Sequence, residues 1–167
     1  ELAAAQLFLI NSNEKYFNEE AVEWGKIEPV TPWIGADTAR HYQWYPFVNI
    51  GHIILALQED SVNSKLFQKY LYKGIKKIYD RGKDNPFLNG IPFIWCSNNL
   101  IASHLVQLWS YRKITGDTQF EEMETALIDW LLGCNPWGTS MVVGFPEDAD
   151  HPSDPHSSLW VKHGYQT

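Results

Sequence analysis

Cysteine is scarce in this chain. There are only two, Cys96 and Cys134, and neither stands in a Cys-x-x-Cys pair. A zinc site built on thiolates and a thioredoxin-type redox pair are therefore excluded, and two buried free thiols are the plain expectation. Positive charge is short as well: 13 Lys and Arg face 20 Asp and Glu, for a net charge of −7. With no basic stripe to neutralise phosphates, nucleic acid is not a partner. No run of about 20 apolar residues exists to span a bilayer as a helix. A Gly-rich phosphate cradle and a Gly-x-Ser-x-Gly elbow are both missing, so phosphate binding of the P-loop kind and an α/β-hydrolase nucleophile lack their motifs. Strand patterning is almost absent too, with one short extended piece expected at 140–145.

Aromatic residues are plentiful, with eight each of Trp, Tyr and Phe. The apolar share of 44% and charged share of 20% are those of a globular protein, and 167 residues make one domain. Helical spacing dominates. Residues 2–10 are apolar almost throughout, which predicts a helix buried on most sides. Asn11-Ser12-Asn13 is a turn, where Asn13 or Ser12 can cap a helix over 14–24 carrying Tyr16, Phe17, Ala21 and Trp24. Pro46 can open a helix running to about Gln58. A helix over 62–80 presents Val62, Leu66, Tyr70, Leu71, Ile75 and Ile78. Another runs from Ser97 to about Ile114 with Ile101, Leu105, Leu108 and Trp109. Gly116 stops it and Asp117 caps the next, 118–132, which carries Phe120, Met123, Leu127, Trp130 and Leu131.

These helices pair into three hairpins with a period of about 50 residues. The links within pairs are short, whereas 25–45, 81–96 and 133–160 are long. If the helices alternate in direction, all the long loops gather at one end. Trp33, Trp44, Trp95, Trp137 and Trp160 then share a rim with His41, His151 and His156, and long loops on a rigid scaffold are where binding usually resides. Aromatic faces beside amides and acids suit a sugar, which has apolar faces and a polar edge. The last loop is the most elaborate. It holds three glycines, four prolines and two histidines, begins where Gly133 can end a helix and Pro136 forbids its continuation, and reads as one wall of a binding site. Its segment 147–156 offers acids and two imidazoles, the donors of a site for calcium or another metal, but solvated loop acids explain it more simply, and no cofactor is required. His52 and His104 read as core histidines, each with a backbone partner. Asp37, Asp60, Asp84 and Asp117 sit at turns or caps. No pair of catalytic carboxylates stands out.

The run Leu132-Gly133-Cys134-Asn135-Pro136-Trp137-Gly138-Thr139-Ser140-Met141-Val142-Val143-Gly144-Phe145, followed by Pro155-His156, resembles the closing signature of glycoside hydrolase family 9, the inverting β-glucanases of the cellulase type. Trp44-Tyr45-Pro46-Phe47-Val48-Asn49-Ile50-Gly51-His52, Trp95-Cys96-Ser97-Asn98 and the hairpin from Leu108 to Trp130 are similar to other parts of that family. The resemblance implies an all-α (α/α)6 barrel of which residues 1–167 are about half. It implies that His156 hydrogen-bonds sugar at the cleavage subsite and that Trp95 stacks on a glucosyl ring, with Trp44 as a third substrate contact. Secretion or a periplasmic address, and a β-glucan or related oligosaccharide as partner, follow from the same resemblance. The family's base comes from an Asp-Ala-Gly-Asp-like motif before this region and its acid from a Glu after it, so no catalytic residue is expected within this chain and residues 1–167 alone should be inactive. Where the family continues His-His-Arg, this chain has His156-Ser157-Ser158, so cellulose is not assumed over other β-glucans or amino-sugar oligomers. Glu1 opens directly into a helical pattern without an initiating Met, which suggests a piece of a longer chain whose exposed apolar face is covered by the rest of its domain or by self-association. From a different class, a non-catalytic helical module binding glycans or a protein is the alternative.

Overall fold

A computed structural model describes residues 1–27, 50–58, 62–92, 97–147 and 149. Among these the protein is all helical. Helix α1 spans Leu2–Asn11. It ends where Ser12 turns left-handed (φ 52°) and donates its N–H to the Phe8 carbonyl at 2.7 Å. The Asn13 side-chain oxygen then accepts the Lys15 N–H at 3.0 Å, as its place before the next helix predicts. That helix is not uniform. Lys15–Ala21 is wound as a π-helix and passes straight into α2, Val22–Ile27. The wider turn lets Val22 donate to the Phe17 carbonyl, and it sets Ala21 and Val22 together beside Phe17, all three buried.

The second pair is α3, Ile50–Ala56, and α4, Val62–Gly82. The third is α5, Ser97–Thr115, and α6, Glu121–Leu131. Gly116 takes φ 72° after α5, and Asp117 binds back twice: its Oδ1 accepts from the Gln119 N–H at 2.9 Å and its Oδ2 from the Tyr111 hydroxyl at 2.8 Å. Burial and this bond to a carboxylate push the Tyr111 hydroxyl up to about 12. Three glutamates, Glu121, Glu122 and Glu124, occupy the first turn of α6, where the helix dipole favours them. Arg112 reaches across the hairpin to grip Glu124 with two nitrogens, each at 2.9 Å.

The core is a single cluster. Phe67, Leu71, Ile75 and Ile78 of α4 interlock with Leu55, Leu100, Ile101, Leu108, Met123 and Leu127. Leu71, Ile75 and Ile78 are buried as expected and Leu66 and Tyr70 half-buried, but Phe67 joins the core in place of Val62, which is 86% exposed. The prediction that α1 is buried on most sides fails: only Ala5 is buried, and Leu9 and Ile10 are 52% and 79% exposed. Among the described elements α1 packs chiefly on Lys15–Ala21 and on α3. The extended piece expected at 140–145 is a series of turns, because Gly144 adopts φ 74° and the Phe145 N–H folds back on the Val142 carbonyl at 3.1 Å.

The helices alternate in direction as the link lengths require. The α3–α4 link meets the end of α5, where Ala56, Leu57, Ser64, Lys65, Lys113 and Ile114 line a cavity of about 420 Å³. At the opposite end the start of α1, the end of α2 and the start of α3 converge. There the Glu1 carboxylate lies 2.7 Å from Nδ1 of buried His52, and a side chain at Gly51 would strike it. The same opposite end receives the loop after α4 and the loop after α6.

Candidate functional site

The loop after α6 is built around Asn135. Gly133, at φ 115°, ends the helix, and the Cys134 N–H bonds back to the Asp129 carbonyl at 2.8 Å. Asn135 is buried, and its side chain is fully engaged. The amide nitrogen donates to the Trp130 and Thr139 carbonyls, both at 2.8 Å, and the oxygen accepts the Trp137 N–H at 3.1 Å. Its backbone carbonyl accepts from the Gly138 N–H at 3.0 Å, closing a four-residue turn with Pro136 and Trp137 at its tip. The chain then returns to the helix: the Met141 N–H donates to the Leu131 carbonyl at 2.8 Å, and the Ser140 hydroxyl lies 3.4 Å from that same oxygen. A loop with this many internal bonds holds its tip in one place.

The tip is aromatic. Trp137 is 57% exposed, and its ring meets Trp130 edge to face, with centroids 5.8 Å apart and planes at 84°. Trp130 is buried and packs in turn on Phe87 at 5.1 Å and 74°. Phe87 belongs to the loop after α4, which lies hard against that helix. Its Gly90 is so close to the Ile78 carbonyl that a Cβ would come within 1.9 Å of the oxygen. A column Phe87–Trp130–Trp137 therefore ties two of the long loops together at the end where they were expected to gather.

Of the five tryptophans expected on this rim, the described residues hold Trp137. Trp33, Trp44, Trp95 and Trp160 lie outside them, as do His41, His151 and His156. The substrate contacts expected at His156, Trp95 and Trp44 are thus not placed. Phe87 and Trp130 were not singled out for the rim. Trp130 reads as an ordinary core position of its helix, although its place in the last turn before the loop was the available signal.

His52 and His104 are both fully buried. His104 has a side-chain partner in place of the expected backbone one: Nδ1 faces the Gln107 amide oxygen at 3.3 Å, while Nε2 is buried with no partner among the described residues. Burial lowers its pKa to about 4, with Arg81 adding to the effect, so the ring is neutral. Cys134 is a free thiol, but it is exposed rather than buried, because the turn that ends α6 carries its side chain outward. Cys96 lies outside the described residues. Among the described residues no group of three or more His, Cys, Asp or Glu is placed to hold a metal ion, and no helix is long and apolar enough to cross a membrane.

Comparison with known proteins adds one finding. The sequence model of glycosyl hydrolase family 9 matches residues 1–166. No curated protein and no solved structure matches the chain.

Proposed function

Since the chain belongs to glycosyl hydrolase family 9, by a match over residues 1–166, we propose that the protein hydrolyses β-linked glucans or closely related oligosaccharides with inversion, and that residues 1–167 supply one side of its sugar groove. The observation that carries this reading is the family match, joined to an aromatic column at the end of the helices where the long loops meet. In this reading His156 hydrogen-bonds the sugar at the point of cleavage, Trp95 stacks on a glucosyl ring, and Trp44 is a further substrate contact. The loop 133–160 holds substrate and performs no proton transfer.

Inverting hydrolysis needs two carboxyl groups roughly 6.5–9.5 Å apart. One removes a proton from the attacking water, which adds to the anomeric carbon. The other protonates the departing glycosidic oxygen. Both belong to segments other than residues 1–167 in this proposal, which makes the whole protein the enzyme and these residues by themselves inactive. Such an enzyme acts on polysaccharide outside the cell, so secretion or export to the periplasm accompanies the reading.

The test is hydrolysis by the full-length protein of a panel of β-glucans and amino-sugar oligomers, with the configuration of the first-formed anomer read by proton NMR. An α-anomer released from a β-glucan is the expected result. Retention of configuration, or no release from any member of the panel, would sink the proposal. Binding without release would favour the non-catalytic glycan-binding module. His156→Ala should lower kcat/KM by about tenfold or more, as loss of a hydrogen bond made in the transition state does. Residues 1–167 alone should release no sugar.

A further inference from the structure

The turn tip 135–138 makes an unusual choice of side chain. The third position of a tight surface turn ordinarily carries a small or polar residue. Here it carries Trp137, 57% exposed, on a turn that fixes it from several sides. Asn135 holds its backbone N–H at 3.1 Å, Pro136 restricts the preceding residue, and Gly138 takes the left-handed φ of 63° that completes the bend. Beneath it Trp130 meets the indole edge to face, itself braced on Phe87. An exposed indole held this firmly loses little further freedom when a ligand lies on it.

Resting on the β-glucan reading above, we propose that Trp137 is a sugar-stacking platform, distinct from His156, Trp95 and Trp44, and that Asn135 is its positioning residue. The ligand class follows from ring chemistry. In a β-linked gluco-configured chain every ring substituent is equatorial. Both ring faces then present C–H groups, and where the linkage is 1,4 successive rings form a flat ribbon that an indole plane can cover. A galacto-configured ring carries an axial oxygen at C4, so only its opposite face can stack, and a β-1,4-galactan, joined through that axial oxygen, forms no flat ribbon. α-Linked glucans coil and present no ribbon. Trp137 therefore favours chains of β-1,4-linked glucosyl units and contributes to binding, with the bond-breaking step left to groups elsewhere.

Affinity electrophoresis of the full-length protein through native gels containing hydroxyethyl cellulose, β-galactan or soluble starch tests this. The unaltered protein should be retarded by the first gel and pass freely through the other two. Trp137→Ala should weaken the retardation about tenfold, the scale on which truncating a contact tryptophan acts, while Trp137→Phe keeps most of it. Kinetics on a soluble β-glucan should show the loss in KM with kcat retained. Circular dichroism at the temperature of the gel should show both variants folded, so that a small fall in thermal midpoint from the lost contact with Trp130 does not account for the lost retardation. Asn135→Ala should weaken retardation in the same direction and raise the mobility of the Trp137 emission. Full retardation of Trp137→Ala, with the unaltered protein still retarded, overturns the platform and leaves the β-glucan reading standing. An unaltered protein that hydroxyethyl cellulose does not retard overturns that reading and the platform with it.

Discussion

His104 shows how far a single residue can be read from sequence. Its place among apolar neighbours on a helix already implies a core histidine, and it is one. Its partner was not legible, because hydrogen bonding inside a core depends on which atoms meet after packing. Gln107 lies one turn further along α5 and takes Nδ1, leaving Nε2 without a partner among the described residues. This has a consequence for stability. Burial lowers the pKa of His104 to about 4 from an ordinary 6.5. Between those values the unfolded chain binds a proton that the folded chain refuses, so stability is full above pH 6.5 and falls as pH drops toward 4. The slope for this one group approaches about 1.4 kcal/mol per pH unit. Urea unfolding at about pH 7.5 and about pH 5 should therefore show a larger loss in the native protein than in His104→Leu. Equal losses in the two proteins would show that His104 does not carry the dependence.

At the scale of elements, helix identity and order were legible, and close approach was not. The helices over 62–82 and 97–115 follow from apolar spacing, and the turn at Gly116-Asp117 from its residue types. The π-helix at Lys15–Ala21 was not foreseen, since no residue type marks it; it leaves Phe17, Ala21 and Val22 all buried. Nor could sequence tell Gly90 from Gly116, both loop glycines. A side chain at Gly90 would collide with the backbone carbonyl of Ile78 in α4, an atom that cannot rotate away, whereas one at Gly116 would meet nothing within 4 Å. Gly90→Ala should cost about 3 kcal/mol, the upper range for overpacking, and shift the Phe87 loop off α4. Gly116→Ala has only the left-handed backbone to bear, about 1–2 kcal/mol. Denaturant midpoints with unchanged m-values would check both, and equal costs would mean that the contact at Ile78 relaxes easily.

For the whole molecule, the long and short links supplied the polarity of the bundle, and the structure brings the two described long loops together through Phe87, Trp130 and Trp137. The outer faces were less legible, because an apolar helix surface reads alike whether core or neighbour covers it. Leu105, Val106, Trp109 and Ile128 line an apolar groove between α5 and α6, and α1 shows Leu9 and Ile10. Residues 1–167 produced alone should self-associate through such surfaces. Sedimentation should show species above 19.3 kDa, with Trp109→Lys shifting the distribution toward monomer; a monodisperse monomer at high concentration would contradict this. The polarity itself gives the last prediction. Lys65 and Lys113 border the cavity at the short-link end, away from the aromatic column. If sugar binds where the long loops meet, reversing both charges with Lys65→Glu and Lys113→Glu should leave glucan affinity and kcat/KM as they were, because exposed charges farther off than about 10 Å are screened at ordinary ionic strength. Substitution at Trp137 should not be so silent. A loss of glucan binding in the double charge variant with the helical signal intact would move the groove to the other end of the bundle, and would count against the parity on which the site was placed.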